Sequence, residues 1–334
     1  MRIVLFMLGL GLLVSPFSRA AETALTPTSP PPIETSADEP TDPVEQEYRK
    51  LLIMDEEALD QVDQWIQEEQ AQREQGVGLT DATLTARILD HLRPVRKAYD
   101  RFLEKYPDHA KGHLAYGSFL GEIGEHDEAV RYMEKAKELD PSNPAAWNNL
   151  ANYYGHRGPI RKCFEYYAKA IELNPKESVY YQNLAVCVFL FRRDSEEFYG
   201  ITEPEVFEKS LELYRKAMEL DPTNFVLATE YAMSFYGMLP LSTASAEEKK
   251  EGRMKITARA IPAWEDAMKL AADDLQKQGI YVHLARTKYI GGRYDEARKD
   301  LEAITLDDYQ GIKNKILSNI EKAEQDAAST SITE

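Results

Sequence analysis

Three short stretches of this 334-residue chain are near copies of one another. Residues 135–143 read "KAKELDPSN", residues 169–177 read "KAIELNPKE" and residues 216–224 read "KAMELDPTN". Each begins with good helix formers and has a proline at its seventh position, which disfavours helix for the residue before it. The interval between Pro141 and Pro175 is about 34 residues, a period typical of repeat architectures. The copies therefore predict an internal repeat in which each unit closes with a helix.

Small residues recur in step with these copies. Two antiparallel helices approach closely only where side chains are small, and larger residues between those points interlock. Of 15 such positions in five units, 14 are small, and Ile304 occupies the last. The small residues are Gly117, Ala129, Ala136, Ala151, Cys163, Ala170, Ala185, Ser210, Ala217, Ala232, Ala260, Ala267, Ala285 and Ala297.

The second unit shows the whole pattern: Trp147, Leu150, Ala151, Tyr154, Cys163, Tyr167, Ala170 and Pro175. With its period of about 34 residues it resembles the tetratricopeptide repeat, in which each unit is a pair of helices, A and B. The resemblance implies an all-α, right-handed superhelix, or α-solenoid. The five units that it predicts are residues 110–143, 144–177, 178–224, 225–277 and 278–307.

Two of the units are longer than the others. The extra residues, 191–206 and 239–255, fall between helix A and helix B of the third and fourth units. The first insert contains Phe198, Tyr199 and Ile201, so we expect it to fold onto the repeats. The second insert is polar, and we expect it to be mobile.

Helical segments are expected on both sides of the repeats. Residues 44–76 have the apolar stripe of an amphipathic helix that docks on the repeats. Residues 77–109 resemble a degenerate helix pair whose second helix opens at Pro94. Residues 308–334 predict a capping helix and a tail. The apolar side of that helix consists of Ile312, Ile316 and Ile320.

The N-terminus has the layout of a secretory signal peptide. Arg2 precedes an apolar run, and small residues precede Ala21, which predicts a signal peptide over residues 1–20. Residues 21–43 hold six of the 17 prolines and predict a disordered linker. We therefore expect an exported protein, periplasmic or secreted, without an integral membrane span after cleavage. An uncleaved membrane anchor is the alternative.

The net charge restricts the class of partner, and the two cysteines raise the question of a disulfide. A net charge of −17 repels phosphate backbones, so we expect no nucleic-acid partner. Cys163 and Cys187 could form a disulfide in an exported protein, or they could be two packed thiols. A disulfide framework needs more cysteines, and we expect packed thiols.

No motif of an enzyme is present. The sequence lacks the glycine-rich loops that bind phosphates and the serine turn of hydrolases. His109 and His113 are four positions apart, as metal ligands on a helix can be, but no third ligand accompanies them. We predict no catalytic residue, no metal and no cofactor.

The resemblance implies that helix A of each unit lines the concave inner face. An amide side chain has both donors and an acceptor, so it can pair with the backbone of an extended peptide in either sense. We expect a protein or peptide segment in this groove, with the amides open to it. The alternative is that the amides are solvated residues of the inner face, or that they cap one another across repeats. The predicted ligand-binding residues are Asn148, Asn149, Asn152, His156, Gln182, Asn183 and Arg286.

The sequence thus predicts a monomeric, non-catalytic scaffold for protein–protein interaction. A glycan-binding or enzyme-associated protein is one alternative, since aromatic residues could stack on sugars. Those residues are Trp147, Tyr153, Tyr154 and Tyr181. A self-assembling structural protein, joined through its first helix and its cap, is another alternative.

Overall fold

The described chain is all-α. The computed structural model describes residues 42–74, 76–238 and 245–332, and within these ranges it contains helices and no strand. The predicted signal peptide, residues 1–20, and the predicted linker, residues 21–43, lie outside the described residues as far as residue 41, and Pro43 of that linker begins the first helix. The helices are α1 (Pro43–Glu74), α2 (Asp81–Lys105), α3 (Ala110–Glu122), α4 (His126–Leu139), α5 (Pro144–Arg157), α6 (Ile160–Leu173), α7 (Ser178–Leu190), α8 (Arg192–Tyr199), α9 (Glu203–Leu220), α10 (Phe225–Ser234), α11 (Ala246–Leu270), α12 (Asp274–Ile290), α13 (Tyr294–Glu302) and α14 (Asp307–Ile332).

The helices form two compact bodies, one up to Tyr199 and one from Gly200. In the first body each of the helices α1 to α8 packs on the next, and α5 also contacts α7. In the second body α9 to α14 pack in the same consecutive way. A 3₁₀ turn, Phe235–Met238, extends α10 and contacts α11. The predicted solenoid of helix pairs is therefore confirmed.

Every predicted small position is buried. Those that carry a side chain are between 0% and 3% exposed, and Gly117 is buried as well. A Cβ added at Gly117 would lie 2.7 Å from Cγ of Met133, so only glycine permits this approach of α3 to α4. The small residues thus set the close contacts within the repeats, as the sequence predicts.

The boundaries of α5 follow from its flanking residues. The Asn143 side chain accepts a hydrogen bond from the backbone of Ala145, and Pro144 occupies the first helical position. Gly158 ends the helix with a φ of 66°, in the left-handed region. The three asparagines of this helix are therefore held in helical geometry by the caps and by the repeat.

Residues 77–109 correct one prediction. They hold a single helix, α2, with Pro94 in its interior, and not a helix pair. Pro94 is exposed, so its ring and its missing N–H face solvent. The apolar face continues on both sides of it through Leu92 and Val95, both buried. Packing of this continuous face outweighs the cost of the proline.

The predicted first helix is confirmed, and it docks on the repeats. The Tyr48 hydroxyl donates to the carbonyl of Lys111 at 3.3 Å, and the Tyr99 hydroxyl donates to Asp55 at 2.5 Å. Helix α1 thereby contacts both α2 and α3. Among the described residues, no helix combines the length and the hydropathy that crossing a bilayer requires.

The first insert behaves as predicted, and the described part of the second does not. Helix α8 lies in the first insert, and its Phe198 ring packs 5.1 Å from the ring of Phe164 in α6. Residues 239–244 of the second insert lie outside the described residues. From Ser245 onward the insert is helical, because Ser245 and Glu248 form a capping box that starts α11.

The second body has two apolar clusters. One surrounds Trp264 of α11, which is fully buried against α10 and α12. The other includes Ala297 of α13 together with Ile316 and Ile320 of α14. The predicted capping helix is therefore confirmed, with two of its isoleucines in the core.

Candidate functional site

The four predicted asparagines are buried. Asn148, Asn149, Asn152 and Asn183 are 0%, 2%, 1% and 4% exposed. The expectation that these amides are open to a ligand is therefore wrong. A buried amide needs hydrogen-bond partners, since an unsatisfied polar group in the interior costs about 1–3 kcal/mol.

Three of these asparagines form a continuous row of hydrogen bonds. Asn183 donates to Oδ1 of Asn148 at 3.0 Å, and Asn148 donates to Oδ1 of Asn149 at 3.2 Å. Asn149 in turn donates to Oγ of Ser118 at 2.9 Å. We call these four residues the amide row. It ties α7 to α5 and α5 to α3, so it runs through helix A of three successive units.

The fourth asparagine has a different partner. Oδ1 of Asn152 accepts a hydrogen bond from the hydroxyl of Tyr167 in α6. Burial raises the pKa of Tyr167 well above its usual range, so the hydroxyl keeps its proton. Asn152 therefore links the two helices of its own unit.

Two other predicted residues lie nearer the surface. His156 is exposed at the C-terminal end of α5, and Gln182 is partly exposed on α7. Burial lowers the pKa of His126, and the neighbouring basic side chains of Arg157 and His156 lower it further. His156 therefore belongs to a group of basic side chains at one end of the helix pairs.

Arg286, the last predicted residue, lies in the second body. Its exposed guanidinium is 5.0 Å from the ring centroid of Tyr236. The Tyr236 hydroxyl is 3.3 Å from Nδ1 of His283 and 3.2 Å from Oγ1 of Thr287. The His283 ring stacks on Trp264 with a centroid distance of 4.3 Å. We call Tyr236, Trp264, His283 and Arg286 the Tyr236 stack.

The electrostatics of this stack are set by burial. Burial lowers the pKa of His283 to about 4, and the charge of Arg286 acts in the same direction. The imidazole is therefore neutral at pH 7. The positive charge of the stack belongs to Arg286.

His109 and His113 have structural roles. Nδ1 of His109 caps α3 by accepting from the backbone of Gly112 at 2.9 Å, and Nε2 lies 3.3 Å from Glu45. Nε2 of His113 is 2.7 Å from the carbonyl of Pro107. No group of three metal-ligating side chains occurs in residues 42–74, 76–238 and 245–332.

The aromatic residues considered for sugar stacking make hydrogen bonds and ring contacts with other residues of the protein. Trp147 and Tyr181, which occupy the same place in successive units, donate to the carbonyls of Pro141 and Pro175 at 2.9 and 3.2 Å. Tyr154 is buried, and Lys162 lies over its ring at 4.4 Å. These contacts fix each repeat to the turn before it, which favours a role in packing.

The two cysteines form a disulfide. Cys163 of α6 and Cys187 of α7 are fully buried and joined. The expectation of two separate, packed thiols is therefore wrong. Because α6 and α7 belong to consecutive repeats, the disulfide joins these repeats covalently. It acts in addition to the hydrogen bonds of the amide row.

Some members of the site were not among the predicted residues. Ser118 occupies in the first unit the place that Asn152 occupies in the second, and this correspondence could have found it. Tyr236 and Trp264 read as core aromatics in the sequence. Their contact with His283 depends on how α10 and α11 pack on α12, and no local pattern reports it.

Comparison with known proteins identifies the repeat. Residues 110–153 match one family model of the tetratricopeptide repeat, and residues 144–177 match another. No curated protein matches the chain.

Solved structures with a related arrangement of helices share little sequence with the chain. YrrB, described as a TPR protein with an unusual peptide-binding site, is 15% identical over 67% of this chain and 99% of its own, with a TM-score of 0.47. A tetratricopeptide repeat protein from Parabacteroides merdae is 15% identical over 83% and 99%, with a TM-score of 0.41. Yeast Tom70 is 13% identical over 94% and 72%, with a TM-score of 0.44.

Proposed function

The chain is a tetratricopeptide repeat protein, and on that premise we propose that it is a non-catalytic scaffold that holds a segment of a partner protein. The segment lies against helix A of successive units in the first body. The amide row is the observation that carries this proposal. It fixes the register of α3, α5 and α7. It does so with polar side chains at positions that apolar side chains could also fill.

The row suits a preorganised binding surface. Each of its hydrogen bonds joins a different pair of residues, and a satisfied buried network of this kind makes the helices rigid relative to one another. A rigid surface loses little freedom on binding, so mainly the partner segment must be ordered. The direct contacts come from the more exposed residues of the same helices, Gln182 and His156.

Export completes the proposal. The charged start, the apolar run and the small residues before Ala21 support secretion into the periplasm or beyond it. The partner segment would then belong to another extracytoplasmic protein, and the scaffold would act as a monomer. N-terminal sequencing of the mature protein tests this part. A new N-terminus at Ala21 is expected, and a chain that begins at Met1 in the cytoplasm would contradict it.

Site-specific photocrosslinking tests the binding surface. A photoreactive residue at Gln182 or at His156 is expected to capture the same partner. The matched control is Ala168, which is exposed on α6, the helix B of the same repeat as His156. Crosslinks at Gln182 and His156 without a product at Ala168 would support the proposal. Equal products at all three sites, or none at the first two, would contradict it.

The amides themselves need a separate variant. Asn148→Asp keeps the shape of the side chain and removes its donor, so it breaks the bond to Asn149. If the row only holds the helices in register, then partner capture falls in proportion to the loss of folded protein. A larger loss of capture than of folded protein would show that the row also sets the geometry of the binding surface.

A further inference from the structure

Three helices of the first body are joined to one another by side-chain links. Oδ1 of Asn152 in α5 accepts a hydrogen bond from the Tyr167 hydroxyl of α6. Asn183 of α7 donates a hydrogen bond to Oδ1 of Asn148 in α5 at 3.0 Å. The buried disulfide joins α6 to α7. These links therefore close a triangle of three helices, which we call the α5–α6–α7 triangle.

The proposed contact residue Gln182 belongs to this triangle. On α6 Tyr167 follows Cys163 by one helical turn, and on α7 Asn183 precedes Cys187 by one turn. Gln182 is the neighbour of Asn183 in sequence and is partly exposed. The disulfide and the hydrogen bond of Asn183 thus both hold the part of α7 that carries Gln182.

The disulfide is the link that keeps the triangle closed. Hydrogen bonds between helices break and re-form during local opening, whereas a covalent bond between α6 and α7 persists. Without this bond α7 separates from α5 and α6 more often, and a binding surface that must first be ordered binds its partner more weakly. Both cysteines are fully buried, so a reductant reaches the bond poorly once the chain has folded.

We infer that the disulfide of Cys163 and Cys187 is required for partner binding, so that the chain binds its partner segment only after oxidation. The two thiols transfer two electrons and two protons to a disulfide oxidant: one disulfide forms in the chain, and the disulfide of the oxidant becomes two thiols. Such oxidants act outside the cytoplasm, where the proposed export would deliver the chain. The inference rests on the proposed function and adds the regulation of the same surface.

Photocrosslinking from position 182 tests the inference. The full mature chain, with a photoreactive residue in place of Gln182, is refolded with glutathione disulfide or with dithiothreitol, freed of the reagent under argon and irradiated in an envelope extract. The oxidised chain is expected to capture its partner, which mass spectrometry identifies. The reduced chain is expected to yield several-fold less of the same product, because α7 is no longer held covalently.

Two variants separate the effect of the disulfide from that of general stability. Cys163→Ala/Cys187→Ala removes the bond, and alanine is the residue that occupies the place of Cys163 in three other units. The double variant is expected to fold, as circular dichroism verifies, and to lose capture as the reduced chain does. Ile320→Val is the control, since it removes a buried methylene group from α14 and leaves the triangle intact. Its capture is expected to equal that of the wild-type chain.

A several-fold loss of capture in both the reduced chain and the double variant, with Ile320→Val unchanged, supports the inference. Equal capture by the oxidised chain and by either disulfide-free form overturns it and leaves the scaffold proposal standing. A loss that Ile320→Val shares contradicts it as well, because general stability then explains the result.

The redox state of the chain isolated from cells is a second test. Alkylation in denaturant is expected to find no free thiol, and two alkylated cysteines in a chain that captures its partner would overturn the inference. If the oxidised chain captures no partner from position 182, the proposed function fails, and the inference fails with it.

Discussion

The two bodies join helix A of one unit to helix A of the next by different chemistry. In the first body neutral amides connect α3, α5 and α7. In the second body the aromatic Tyr236, at the end of α10, reaches His283 and Thr287 of α12, with Arg286 over its ring. The junction between successive A helices in the first body is thus neutral, and its hydrogen bonds do not depend on pH. The corresponding junction in the second body is aromatic and charged, and its stability depends on pH.

Removing the aromatic platform is expected to have the largest effect on stability. Trp264 is fully buried and stacks on His283. Trp264→Ala is expected to lower the free energy of unfolding by about 3–5 kcal/mol through the lost contacts and the cavity. Urea denaturation measures it. The control is Trp65→Ala in α1, at a partly exposed ring, which is expected to cost less. An equal cost at both sites would contradict the central place of Trp264.

Protonation of His283 should make the stability of the second body depend on pH. Burial holds the pKa of His283 at about 4 in the folded chain, against 6.5 when exposed, so the folded state binds fewer protons between these values. The stability of the second body is therefore highest above pH 6.5 and falls as the pH drops toward 4, by at most about 3 kcal/mol.

Urea titrations at several pH values measure this loss. The probe is the fluorescence of Trp264 in a chain in which Trp65 and Trp147 are replaced by Phe. His283→Gln is expected to remove most of the pH dependence and thereby isolates the contribution of this residue. The amide row has no titrating member, and the pH dependence of the first body comes from groups outside the row, such as His126, whose pKa burial also lowers. A His283→Gln chain that keeps the full pH dependence would contradict the assignment.

The disulfide sharpens the comparison, because only the first body has one. Cys163 and Cys187 are 24 residues apart in sequence, and a loop of this size corresponds to about 3 kcal/mol. Reduction is expected to lower the stability of the first body and leave the second unchanged. Hydrogen exchange of peptides from α6 and α12, with and without reductant, measures both. Faster exchange in both bodies, or in neither, would be the contrary result.

A break in the amide row is expected to cost less. Asn149→Ala removes the donor to Ser118 and the acceptor of Asn148, and it is expected to cost about 1–3 kcal/mol. Asn319→Ala is the matched control, since Asn319 is exposed on α14 and alanine is the better helix former. Its expected effect is within about 0.5 kcal/mol. Equal effects of the two substitutions would mean that the row does not hold the helices.

The fold could be predicted from the sequence wherever a periodic signal existed. The small positions, such as Gly117 and Ala151, report helix contacts directly, because their spacing is a steric requirement. The error at Pro94 has a physical reason: a local signal for a helix start was overridden by an apolar face that continues through it.

The candidate site could be predicted only in part. The sequence separates Asn148 and Asn149 from the packing positions but does not say what they bond to. Asn149 and Asn183 occupy the same place in successive units, and Asn148 bridges them. Whether such residues are open or buried depends on the distance between neighbouring A helices, which is a tertiary property. The burial of Cys163 beside Cys187 likewise depends on how the helices of consecutive units pack.

Hydrogen exchange of the side-chain amides tests the central claim most directly. NMR resolves the NH₂ groups of Asn148, Asn149 and Asn183 in the free protein, with that of the exposed Asn319 as the reference. Because the row is buried and hydrogen-bonded, its NH₂ groups should exchange much more slowly than the reference. If all four exchange at the same rate, then the amide row does not hold the first body together.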